Sequence, residues 1–112
     1  MKNIFDKFFT GINYWASKNA THMWSEYDPE SIENDMRLLQ KAGITMLRVF
    51  PNWKDFQPIT AYNAAGGIFE YGMHGRPLPD TPAGAAGVDE VMCERFEDFC
   101  SIAEKYGMTV VL

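Results

Sequence analysis

An arginine at the end of a run that should be buried is the first sign of chemistry in this sequence. Ile44-Thr45-Met46-Leu47 is apolar and partly β-branched, and it runs on into Arg48-Val49-Phe50-Pro51-Asn52-Trp53. Side chains alternate along a strand, so Ile44, Met46, Arg48 and Phe50 share one face and Thr45, Leu47 and Val49 the other. On a face packed by helices, Arg48 would bear a heavy desolvation cost. It is therefore expected on the opposite face, near the C-terminal end of the strand, where α/β folds build their sites. A stabilising ion pair, or a cation merely reaching solvent, is the plainer role for such a residue.

Aromatic residues gather around the same expected rim. Asn13, Tyr14 and Trp15 end an earlier apolar segment, Trp24 lies in the loop after it, and Trp53 and Phe56 follow Arg48. Flat aromatic faces stack on the C–H face of a pyranose ring, and an asparagine amide can bond a hydroxyl or a carboxylate. Anchoring a loop is the alternative for each tryptophan, and satisfying backbone at the strand end is the alternative for Asn13. The two histidines, His22 and His74, lie in different loops without metal-ligand spacing, so no metal is expected. No Walker loop, GxGxxG or GxSxG pattern is present, and no cofactor is expected. Gly84-Ala85-Ala86-Gly87 reads as a flexible lead-in to a helix. Asp89, Glu90, Glu94, Glu97 and Asp98 read as that helix's solvated face and as charges favoured by its dipole.

Two helices would position these residues. For the first, Asp28 can cap, Pro29 fits the first turn, Glu30 favours the positive end of the dipole, and Tyr27 with Ile32 can form a hydrophobic staple. Ile32, Met36 and Leu39 recur at helical spacing, and Gly43 supplies the stop. The second is expected from about Val88 to Tyr106, burying Met92, Phe96, Phe99 and Ala103, with Gly107 as its stop. Strands are expected at 8–15, 44–50 and 108–112, the last two each following a stop glycine. Strand, helix, strand, helix, strand is the order of a parallel α/β fold. Residues 51–87 read as one long connection, rich in Gly, Pro and Ala, with a short hairpin within 67–79.

The chain has 112 residues, 46% of them apolar and 22% charged, with a net charge of −5 and a pI near 4.9. That suits one small globular domain. Its ten basic residues are scattered, so a nucleic-acid backbone is not an expected partner. Apolar runs fall far short of the ~20 residues of a membrane-spanning helix. The N-terminal MKNIFDKFF lacks the continuous apolar stretch of a signal peptide. Cys93 and Cys100 lie about 10 Å apart along one helix, too far for a bridge within it. Together these favour a reducing compartment such as the cytoplasm without fixing the location.

Gly11-Ile12-Asn13-Tyr14-Trp15, followed by the segment from Met23 to Pro58, resembles the opening of clan-A glycoside hydrolases, particularly family 5 cellulases and β-mannanases. The motifs are Gly11-Ile12-Asn13, Leu47-Arg48-Val49-Phe50, and Trp53 with Phe56-Gln57-Pro58; the likeness covers residues 8–58 and, loosely, 103–112. It implies the N-terminal βαβαβ part of a (β/α)8 TIM barrel, with a long loop after the second strand. It also implies that Arg48 bonds the catalytic nucleophile and keeps it ionised, in a retaining enzyme acting on β-linked glucan or mannan. Asn13, Tyr14, Trp15, Trp24 and Trp53 would line the sugar. The family's two glutamates come from the fourth and seventh strands, and no acidic residue here matches either, so the chain alone is expected to be inactive. Because Leu112 falls inside an apolar strand, the sheet is expected to be completed by the rest of a barrel or by self-association. A non-catalytic glycan-binding or self-assembling partial-barrel module is the alternative.

Overall fold

The elements follow from the local signals, with one region of structure that those signals did not mark. In the computed structural model, which describes residues 8–63, 66–67 and 69–112, the order is β1 (Gly11–Asn13), α1 (Pro29–Lys41), β2 (Met46–Arg48), α2 (Trp53–Phe56), β3 (Ile59–Asn63), β4 (Phe69–Met73), β5 (Arg76–Pro77), α3 (Pro82–Ala85), α4 (Glu90–Lys105) and β6 (Thr109–Val111). Residues 1–7, most of the segment read above for a leader, lie outside the described residues. The chain forms two compact units. One contains the residues up to Phe50 together with Glu97–Leu112, the other Pro51–Phe96. The fold is mixed α/β, with a parallel three-stranded sheet in the first unit and a small antiparallel sheet in the second. Among the described residues the strands close no barrel.

In the first unit α1 begins as its sequence requires. The Asp28 carboxylate accepts the Ser31 N–H at 3.3 Å, and Pro29 occupies the first turn. The helix stops at Ala42, and Gly43 follows at φ 82°, a left-handed conformation that costs a glycine little. β2 is the middle strand, parallel to both neighbours, and pairs Leu47 with Ile12 on β1 and with Val110 on β6. Leu47 and Val49 are fully buried with Ile32 and Met36 of α1 and with Phe99, Ile102 and Ala103 of α4. Each of the Leu, Val, Ile, Met and Phe side chains among them contributes roughly 1.5–3 kcal/mol of burial. The opposite face stays open, and there Gly11 pairs with Met46. A Cβ on Gly11 would lie 3.1 Å from the Met46 Cβ, so the pairing favours glycine.

The strands are shorter than the 8–15 and 44–50 expected. The Tyr14 N–H still reaches the Arg48 carbonyl at 2.8 Å, but the chain then turns into an Ala16–Ala20 bridge. In α4, Phe99 and Ala103 are buried as expected, joined by Ile102, whereas Met92 and Phe96 are only half-buried.

The second unit gives the long connection expected over 51–87 more structure than the one hairpin read within it. It holds α2, α3 and an antiparallel sheet in the order β3-β4-β5. The hairpin read within 67–79 is present: Met73 pairs with Arg76 across His74-Gly75, both at positive φ (55° and 73°). That is the geometry of a type I′ turn. The Gly84–Gly87 stretch is not a loose lead-in. Thr81 caps α3 through the Gly84 N–H, and a Cβ on Gly84 would fall 2.1 Å from the Pro79 carbonyl oxygen.

Candidate functional site

At the C-terminal end of the parallel sheet, backbone register sets two polar residues side by side. Asn13 on β1 pairs with Arg48 on β2, and Arg48 pairs with Val111 on β6. Both polar side chains are exposed while Leu47 between the strands' faces is buried, so strand alternation places Arg48 on the open face as the sequence implied. With Gly11, Ile12, Met46 and Val111 they line a shallow cavity of about 370 Å³.

The guanidinium is held by an aromatic ring. Arg48 Cζ lies 5.2 Å from the centre of the Phe50 ring, within range of a cation–π interaction. Phe50 in turn stacks on Trp15, with centroids 5.0 Å apart and planes 13° from parallel. Trp15 stays partly exposed, at 36%. Among the described residues Arg48 makes no hydrogen bond or ion pair, so its donors are open to an incoming group. A guanidinium of this kind suits a planar carboxylate, which it can bind through two parallel hydrogen bonds.

Of the six residues singled out from sequence, the structure brings three together here: Asn13, Trp15 and Arg48. Two others are corrected. Trp24 is no platform on a rim: it is fully buried, its indole N–H donates to the Phe50 carbonyl at 3.0 Å, and its ring meets Phe99 edge-on at 5.5 Å. Tyr14 is buried to 3% exposure, and its hydroxyl donates to Asp35 at 2.8 Å. Burial, with the Asp35 carboxylate beside it, pushes the Tyr14 phenol far above its ordinary range, so it stays a neutral donor. Both aromatics follow a strand whose far face is open, and each is drawn into the helix-side core. The sixth, Trp53, lies on α2 in the second unit, 82% exposed.

Two features escaped the sequence reading. Asp35 lies on α1, and no local signal ties it to Tyr14. In the second unit, His74 Nε2 lies 2.7 Å from Asp89 Oδ2, while Asp89 Oδ1 accepts the Val91 and Met92 amides at 2.9 and 3.2 Å. Asp89 is thus the cap of α4 rather than a surface charge. Partial burial pushes its carboxyl upward, but the His74 bond and the two amides outweigh that and hold it below the usual carboxylate value. The pair borders a groove of about 430 Å³ with Met73, Arg76, Pro77 and Glu90 among its walls. Among the described residues no three His, Cys, Asp or Glu side chains are grouped to hold a metal. Cys93 and Cys100 are unbridged.

Comparison with family models, curated proteins and solved structures gives no match for this chain.

Proposed function

We propose that this chain is the N-terminal βαβαβ portion of a (β/α)8 glycoside hydrolase of family 5 type, acting on β-linked glucan or mannan. The observation that supports this best is Arg48: an exposed guanidinium with no ion-pair partner among the described residues, on the open face at the C-terminal end of a parallel sheet, backed by Phe50 and Trp15. In this reading Arg48 holds the nucleophilic carboxylate and keeps it ionised. Asn13 and Trp15 contact the sugar. Both catalytic carboxylates come from outside these 112 residues, so the chain by itself binds but does not hydrolyse.

The test is a titration of the 112-residue chain with cellohexaose and with mannohexaose, followed by NMR. Shifts confined to Asn13, Trp15, Phe50 and Arg48, lost in Arg48→Ala, are expected, with no release of reducing ends. Because Arg48 is exposed and makes no ion pair among the described residues, Arg48→Ala should leave stability within about 0.5 kcal/mol. Full turnover by this chain, or binding that ignores Arg48→Ala, would refute the proposal. A second reading, a self-assembling partial barrel that binds glycans without cleaving them, is favoured by the outer edges of β1 and β6, each paired on one side only among the described residues. A stable homo-oligomer in solution supports it.

A further inference from the structure

We infer that Asp35, which no feature of the sequence marks, is the positioning residue of the sheet-end site; the inference rests on the reading that Arg48 and Trp15 form its working surface. Asp35 lies on α1, and its carboxylate grips the loop after β1 on both sides of Trp15. Oδ2 accepts the Tyr14 hydroxyl at 2.8 Å and the Ser17 amide at 2.9 Å, and Oδ1 accepts the Ser17 hydroxyl at 2.6 Å. Three donors onto one carboxylate define the path of residues 14–17 more tightly than apolar packing would, because each bond is directional and charge-assisted.

Trp15 lies between the two clamped residues. Its ring is thereby laid flat on Phe50, and Phe50 is the ring that carries the Arg48 guanidinium. The chain of contacts runs from a helix carboxylate, through a clamped loop and two stacked rings, to the cation. Since both Asp35 oxygens are already engaged, its role is to place Trp15 and Arg48 rather than to meet a ligand. Tyr14 serves the same end. Held neutral by burial, its hydroxyl remains a donor to Asp35 throughout the working pH range.

The experiment reads the side-chain Nε–Hε resonance of Arg48, which feels the ring current of Phe50, and the indole resonance of Trp15. Both are measured in the 112-residue chain without ligand. Asp35→Asn removes the charge and replaces one acceptor by a donor; Tyr14→Phe with Ser17→Ala removes the two hydroxyl donors and leaves Asp35 in place. The mild core variant Ile102→Val controls for general loosening. Asp35→Asn and the double variant should each move the Arg48 resonance toward that of an unstacked arginine and shift the Trp15 indole, while Ile102→Val leaves both in place. Oligosaccharide affinity should fall by about tenfold in the first two, the effect of losing one well-made contact.

Resonances that stay in place in both network variants overturn the inference, as does an equal displacement in Ile102→Val. If Asp35→Asn does not fold, the double variant decides. Displaced resonances in a chain whose parent binds neither oligosaccharide uphold the positioning and overturn the sugar reading, so the two failures are distinguishable.

Discussion

Replacing Trp24 by phenylalanine separates a core anchor from a sugar platform. Trp24 is fully buried, and its indole N–H is bonded to the Phe50 carbonyl at 3.0 Å. Phenylalanine fills part of the same space against Phe99 but has no donor. The Phe50 carbonyl is then left without that partner, which costs about 1–3 kcal/mol, and the smaller ring leaves a void that adds roughly 1 kcal/mol. Trp24→Ala removes the whole ring and should cost about 3–5 kcal/mol, a large share of the roughly 5–15 kcal/mol that keeps a typical domain folded. Urea unfolding followed by circular dichroism measures both. With a slope of about 2 kcal/mol per molar urea, a 2 kcal/mol loss moves the midpoint of Trp24→Phe down by about 1 M. Oligosaccharide binding by the folded variant should be nearly unchanged. A variant of native stability that has lost glycan affinity would refute the placement of Trp24 in the core.

Two further outcomes concern the second unit. Asp89 has a folded-state pKa below its ordinary value, so its ionised form contributes stability that is fully present above about pH 4 and is lost as pH falls through the lower folded value. Asparagine can still cap α4 but does not titrate, so Asp89→Asn should flatten stability against pH below about pH 4, measured as urea midpoints from pH 2 to 7. His74 lies at φ 55° in a two-residue turn, a conformation that asparagine accepts and β-branched residues resist. His74→Asn and His74→Val both lose the bond to Asp89, so the turn alone should separate them, with His74→Val less stable than His74→Asn by about 1–3 kcal/mol in the same assay.

Much of the site's scaffold is legible from local pattern. The start of α1 at Asp28-Pro29 and its end before Gly43 depend on backbone groups within a turn of each signal. The open-face position of Arg48 needs only strand alternation and the cost of burying a guanidinium. The second unit was less legible because the pairing of β3 with β4 joins residues across a Gly-rich segment with little periodicity. Its hairpin turn could still be read within 67–79 because a two-residue turn with glycine is itself a local signal.

Sequence alone therefore determined the parallel strand–helix order, the limits of α1 and the face on which Arg48 lies. Each of these follows from forces acting between near neighbours along the chain. Tertiary structure decided which aromatics line the rim and which fill the core. The Trp24 indole finds its acceptor 26 residues away, and the Tyr14 hydroxyl finds Asp35 21 residues away. A Trp or Tyr beside a strand end has the same local signature whether it faces solvent or the interior. Only a distant partner able to satisfy its polar atom makes burial the lower free energy.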